Sequence, residues 1–464
     1  MVDLTNRAAE FSAQYKDLME MAKNKNIRFL QSHVVDNVGR LRSKLSPFKL
    51  SNVGESLNAI LYCVSHGEGQ PDGDIVFESE MASDANGYPN IQALADPNSL
   101  RFHNWRPDTA SVFLSGYMLD GSPCPVDSRH ILLKACEALH EKGFQARVGV
   151  EYEFGIFHAD EELMQQGRYR ELRPWGQTLV NYEMNRNGEY QDLMSDFLSR
   201  MASLNIGIAS VVSEYGFGMY ELALSPKPAL EAADDATRAK FHLNELCAER
   251  GLVATFMTRF QPPGRESACG AHHHLSLWQD DKPILAAGTN KLSKDGMMFL
   301  AGMLEYLTDT HVIFRPTINS YRRFDRGAWS PEDITWGYEN RTSAIRAITT
   351  PGANACRFEH RVAGSDVNPY LTTAAILAAG TEGLELGLMP PEPMKGMAPD
   401  GSARRLQSNL KDATDDFVNS SFCNATFGSH FVKHYAESRF GEVAAFEAWQ
   451  NARITDFEWE RYFI

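Results

Sequence analysis

Residues 147 to 158 read Arg147-Val148-Gly149-Val150-Glu151-Tyr152-Glu153-Phe154-Gly155-Ile156-Phe157-His158. Side chains alternate across a strand, so residues two apart share a face. Val148, Val150, Tyr152, Phe154 and Ile156 form one apolar face, and Glu151 and Glu153 stand together on the other. A single strand of this kind reads first as half-exposed, with a wet acidic face. The arrangement recurs, however. Arg357-Phe358-Glu359-His360-Arg361 puts Arg357, Glu359 and Arg361 on one face, and Ala271-His272-His273-His274-Leu275 puts His272 and His274 together. Glu221 lies in Met219-Tyr220-Glu221-Leu222-Ala223, with Glu214 seven residues before it.

Carboxylates side by side raise one another's pKa unless a cation sits between them. Five carboxylates and one or two imidazoles on neighbouring strands suit hard divalent cations such as Mg²⁺ or Mn²⁺. Zinc is a weaker choice, because thiolate is absent from the set. Arg322, Arg323, Arg326, Arg341, Arg346, Arg357 and Arg361 crowd into one stretch of chain. They read either as a solvated basic patch or as the fork geometry that recognises carboxylate and phosphate. Metal carboxylates with such a set point to chemistry on a phosphorylated, anionic substrate.

The rest of the chain sets bounds. With 464 residues it exceeds one ordinary core. Its 45 Lys+Arg against 60 Asp+Glu give −15, which argues against a nucleic-acid partner. No run of about 18 apolar residues would span a membrane, and Met1 to Arg7 lacks the pattern of a signal peptide. Seven scattered cysteines without a Cys-x-x-Cys pair fit reduced thiols in a cytoplasm. Residues 5 to 28 show helical spacing, 29 to 121 have the texture of a small β-rich domain, and a boundary is expected near 122–126. Helices are expected over 127–142, 230–250 and 369–388, with a loop over 389–401. Phosphate-binding, dinucleotide and nucleophile-elbow motifs are all missing, so direct transfer at a metal centre is the better mechanism.

These segments in this order resemble the glutamine synthetase superfamily over nearly the whole chain. The resemblance runs from Asp36-Asn37-Val38-Gly39-Arg40 through Glu151-Tyr152-Glu153-Phe154, Gly270 to Ser276, Asn319 to Arg323, Asn340 to Arg346 and Arg357 to Arg361, ending at Thr455-Asp456-Phe457-Glu458. It implies an α+β fold: an N-terminal helix and β-grasp domain over 1–124, then a catalytic domain over 125–464 with a curved antiparallel sheet flanked by helices. Glu153, Glu214 and Glu221 are expected to hold one Mg²⁺ or Mn²⁺, and Glu151, His272 and Glu359 another, two or three ions per site in all. The resemblance implies ATP, with His274, Ser276, Arg341, Arg346 and Arg357 on the nucleotide side. Arg323 is expected on the α-carboxylate of glutamate and Arg361 on the transferring phosphoryl group. Assembly into a dodecamer of two hexameric rings is implied as well.

Departures from the family bear on the acceptor. Where ammonia is the substrate the flap reads Gly-Tyr-Glu-Ala-Pro; here it reads Gly327-Ala328-Trp329-Ser330-Pro331. The Phe-Asp-Gly-Ser-Ser segment that lends an aspartate to the ammonium site has no counterpart in 50–90, and Ser267-Ala268 replaces Asn-Gly in the glutamate loop. Trp329, Tyr215, Phe217, Tyr182 and Trp175 are expected to form an apolar pocket for an organic amine, aromatic or alkyl. The chain thus resembles the γ-glutamyl-amine ligases that act on polyamines, alkylamines or anilines. A true glutamine synthetase and a non-catalytic relative remain as alternatives.

Overall fold

The computed structural model describes residues 16, 20–48, 54–65, 75–176, 181–182, 188–261, 268–288, 291–323, 329–350, 352–397 and 403–462. Most of the helix expected over 5–28 lies outside them, as do Ser267, Gly327 and Ala328. Strands β1 (Phe29–Val35), β2 (Leu41–Pro47), β3 (Gly54–Asn58), β4 (Asn90–Ala95) and β5 (Thr109–Tyr117) form a first sheet in the order β2-β1-β5-β4-β3, with Arg101–Phe102 beside β5. β1 runs parallel to β5 and the other pairings are antiparallel. Every residue of β5 is buried, because this central strand is covered on both faces.

The second sheet holds the charged strands. It comprises β6 (Gln145–His158), β7 (Ile208–Ser213), β8 (Met219–Leu224), β9 (Ala271–Gln279), β10 (Trp336–Tyr338), β11 (Ile345–Ile348) and β12 (Arg357–His360). Their order is β7-β8-β6-β9-β12-β11-β10, with three short strands at the sides. Neighbours are antiparallel except β10 and β11, which run parallel, so the expected antiparallel sheet ends in one parallel pair. On β6 the alternation survives intact: Val148, Val150, Tyr152, Phe154 and Ile156 are at most 2% exposed, while Glu151 and Glu153 lie on the opposite face.

Helices α1 (Ser128–Glu141), α2 (Ala229–Glu249), α3 (Lys294–Glu305) and α4 (Pro369–Leu386) pack against these sheets. Asp127 caps α1 by accepting from the backbone N–H groups of Arg129 and His130. Asn368 and Pro369 start α4, and Gly387 with φ +63° ends it, the stop and start chemistry expected of a defined helix. Arg129 ties the end of β4 to α2: its guanidinium donates to Asp96 at 2.9 Å and to both oxygens of Asp234 at 3.2 and 2.9 Å. α4 is buried from Pro369 to Thr381, and its last turn, with Glu385 and Leu386, is exposed. It meets α3 backbone to backbone. A Cβ on Gly302 would collide with the carbonyl oxygen of Ala379 and lie 2.7 Å from the N of Gly383. Gly302→Ala is therefore expected to destabilise the protein by about 1–3 kcal/mol through overpacking, read as a lower midpoint in urea unfolding.

Candidate active site

Pairing across strands turns separate motifs into one surface. Glu221 lies directly opposite Glu153, and Glu151 opposite His272. His274 lies opposite Glu359, which in turn lies opposite Arg346. Glu214 follows the end of β7 and accepts from the Tyr215 N–H at 3.0 Å and from Asn181 Nδ2 at 3.1 Å. Five carboxylates thus share one face of the sheet. They form two clusters, each with atoms within 4.8 Å of one another: Glu153, Glu214 and Glu221, and Glu151, His274 and Glu359.

The two clusters differ in charge balance. Burial pushes the Glu153 carboxyl up to about 7, with Arg323 opposing and Glu214 adding. Burial and then the charges of Glu151, Glu153 and Glu214 push Glu221 up to about 9, and burial also raises Glu214. Arg323 is the positive charge acting on Glu153 in this trio, and the all-oxygen donor set fits a hard divalent cation. The second cluster is the reverse. Burial of Glu359 is outweighed by Arg361, His272 and His274, which hold its carboxyl at about 2. Hydrogen bonds from His272 and His274 likewise outweigh burial at Glu151 and hold it well below the usual range.

The two imidazoles do not play equivalent parts. Burial and Arg361 bring His272 down to about 4, so it is neutral at pH 7. Its Nδ1 lies 2.9 Å from Glu151, and Arg323 Nη2 donates to its Nε2 at 3.3 Å. His274 Nε2 lies 3.4 Å from Glu151 and its Nδ1 accepts from Arg357 Nε at 3.1 Å. His274, expected on the nucleotide side, is the imidazole that clusters with Glu151 and Glu359, while His272 bridges Glu151 to Arg323.

The arginines divide as well. Arg361 bonds Glu359 Oε1, and Arg346 Nη1 donates to Glu359 Oε2 at 3.0 Å. Arg323 is only 3% exposed, and its Nη1 donates to the carbonyls of Arg361, Val362 and Ala363. Arg341 is exposed. Ser276 accepts from Trp278 Nε1 at 2.9 Å. Among the aromatic residues, Tyr182, Tyr215, Phe217 and Trp329 are all exposed. The Tyr182 backbone N–H donates to the Ser213 carbonyl at 3.0 Å, next to Glu214. Trp175 does not join them. It is buried against Tyr190 and Tyr220, on the core side of the sheet, because Tyr220 and Glu221 alternate.

Some functional positions were not singled out from sequence. Gly270 donates its N–H to Glu153 Oε2 at 2.5 Å, and a Cβ there would strike Arg323 and lie 2.8 Å from His272 Nε2. A glycine immediately before a charged strand was the available signal. Ser365 donates to the Glu153 carbonyl at 2.6 Å, and Glu339 pairs with Arg346; neither carried a local signal.

The glutamine synthetase catalytic-domain model matches residues 125–462. The chain belongs to the glutamine synthetase family. Within this family it is an ATP-dependent C–N ligase. It is 33% identical to glutamate–isopropylamine ligase from Pseudomonas sp over 81% of this chain and 82% of that protein. It is 34% identical to gamma-glutamylethanolamide synthetase GlnA4 from Streptomyces coelicolor, covering 82% and 81%. A solved family structure, the GmaS/ADP complex, superposes with a TM-score of 0.78 at 26% identity, covering 96% of this chain and 98% of that one. Among the described residues no helix is long and apolar enough to cross a membrane.

The raised carboxyls have a consequence for stability. Their folded pKa values exceed the unfolded ones, so the folded state holds protons that the unfolded state has released, and stability falls as pH rises. Chelator-treated protein is expected to lose stability, on the order of a few kcal/mol, between about pH 5 and 9. Glu221→Gln should flatten the upper part of that slope, and added Mn²⁺ should flatten it in the unaltered protein. Thermal melts across the pH range, with and without metal, check both.

Proposed function

We propose that the protein joins the γ-carboxylate of glutamate to an organic amine, with ATP converted to ADP and phosphate. The observation that carries the acceptor class is Trp329, exposed at the position where ammonia-using relatives place the flap glutamate. Tyr182, Tyr215 and Phe217 are the other exposed aromatics of the proposed pocket. The names of relatives support the same class, including a gamma-glutamylanilide synthase from Acinetobacter sp that is 25% identical over 81% of this chain.

The chemistry follows from the weakness of a carboxylate as an acylating agent. Transfer of the ATP γ-phosphoryl group to the glutamate γ-oxygen gives an acyl phosphate and ADP. The amine nitrogen then attacks the acyl carbon, phosphate leaves, and the nitrogen gives up a proton. Glu153, Glu214 and Glu221 hold one divalent cation, and Glu151 and Glu359 hold a second with an imidazole from β9. Either imidazole must release a present partner to serve: His272 its Nε2 contact with Arg323, or His274 its Nδ1 contact with Arg357. When bound, Mg²⁺ or Mn²⁺ supplies Lewis acidity and charge neutralisation at the phosphates. Arg361 and Arg341 stabilise charge on the transferring group and acyl phosphate, and Arg346, Arg357 and Ser276 serve the nucleotide side. Arg323 is assigned to the glutamate α-carboxylate; its Nη1 bonds backbone carbonyls, and its Nε has no hydrogen-bond partner among the described residues.

We take residues 1–124 as the N-terminal unit and 125–464 as the catalytic one. Assembly is proposed as two hexameric rings, and an active monomer by light scattering would contradict it. ADP release with glutamate, ATP and a panel of amines tests the acceptor. An alkyl or aromatic amine is expected to give the highest kcat/KM; if ammonia does, the role of Trp329 is wrong. Glu153→Gln and Arg361→Met should each lower kcat at least about 100-fold with the fold retained, as judged by circular dichroism.

A further inference from the structure

Arg346 stands between two carboxylates. Its Nη1 donates to Glu359 Oε2 at 3.0 Å, and its Nη2 donates to Glu339 Oε2 at 3.1 Å. The residue opposite Arg346 on β10 is Gly337, which presents no side chain, and Glu339 lies two residues further on. Glu339 is itself firmly held. Its Oε1 accepts from the Thr349 N–H at 2.9 Å, the Thr350 N–H at 3.0 Å and the Thr350 hydroxyl at 2.6 Å. Its backbone N–H bonds the Ala347 carbonyl at 3.0 Å. Its φ is +52°, a left-handed conformation uncommon for a residue with a Cβ. Partial burial would raise its carboxyl, but the bonds from Thr350, Thr349 and Arg346 hold it at about 2. The outcome is a fixed, ionised carboxylate whose second oxygen is spent on Arg346.

Glu359 has the complementary difficulty. It is 2% exposed, with Arg361 on Oε1 and Arg346 on Oε2. Each Glu359 oxygen already carries a guanidinium bond, so a divalent cation at Glu359 competes with those guanidinium groups for its charge and lone pairs. Among the described residues Arg361 has no ion pair other than that with Glu359, whereas Arg346 already has a second anionic partner.

We propose that Glu339 is a positioning residue that draws Arg346 away from Glu359, leaving Glu359 an oxygen for a divalent cation. The inference rests on the proposed cation site at Glu151, Glu359 and a β9 imidazole. Strain stored at a functional position has a use here: the left-handed turn aims a carboxylate at Arg346 that an extended backbone would direct elsewhere.

Glu339→Gln is the natural test, because the amide oxygen keeps the bonds from Thr349 and Thr350 while the amide nitrogen faces Arg346 as a donor. Mn²⁺ binding to the nucleotide-free full chain is measured from the EPR signal of free Mn²⁺. Glu359→Gln identifies the class of sites that uses Glu359. E339Q is expected to weaken that class about tenfold, the lower end of what outer partners of metal ligands contribute. The class that depends on Glu221 should be unchanged. In an Arg346→Met background the further change E339Q should move affinity by less than about twofold, because the two residues act through one contact. Wild-type affinity in E339Q, or a tenfold loss that persists without Arg346, overturns the inference. If E359Q binds Mn²⁺ as the unaltered chain does, the cation site itself is wrong and the inference falls with it. Should E339Q fold poorly, Glu339→Gly removes the carboxylate and relieves the positive φ, and carries the same expectation.

Discussion

Two carboxylates on one face of a strand whose other face is core set the terms for everything around them. Tyr152 anchors β6 between Glu151 and Glu153 and is fully buried, so neither acid can turn away without a register slip that would expose the whole apolar row. The acids must therefore be accommodated where they stand. Neighbouring strands do this in register. β8 brings a third acid against Glu153, β9 brings imidazoles against Glu151, and β12 and β11 add Glu359 and Arg346 in sequence across the sheet.

The accommodation is uneven. Around Glu151 and Glu359 the protein supplies its own positive and hydrogen-bonding groups, and those carboxylates stay ionised. Around Glu153, Glu214 and Glu221 it supplies little beyond Arg323, itself buried and lowered to about 10 by desolvation. One half of the site is thus balanced internally and must be loosened to admit a ligand cation; the other half is poised for added positive charge. A buried array of charges that is incomplete without a partner is more costly than apolar packing of the same volume, which is a mark of function over stability.

Much of this was legible in sequence because period-two alternation is local. Glu151, Glu153, His272, His274 and Glu359 could be assigned to faces from their neighbours alone, and α4 was expected over 369–388, just past the Gly387 that ends it. What escaped depends on contacts between distant segments. Trp175 was expected near the acceptor, but an aromatic residue does not declare which side of a sheet it packs on; Tyr190 and Tyr220 decided that. The division of labour between His272 and His274 depends on which guanidinium reaches which ring nitrogen, and that comes from Arg323 and Arg357. Glu339 looked like one acid among 60. Its significance lies in a positive φ and in Arg346 seven residues away, neither of which a pattern can display.

The site also separates its functions by type of backbone. Glu151, Glu153, Glu221, both imidazoles, Arg346, Arg357 and Glu359 sit on strands, where each position is locked by its ladder partners. Tyr182, Tyr215, Phe217 and Trp329 sit on connections between them. Loops accept substitution and insertion far more readily than paired strands. Under the proposed assignment, acceptor choice rests on four loop positions and phosphoryl handling on paired strands, so substitution at the former can proceed without disturbing the latter.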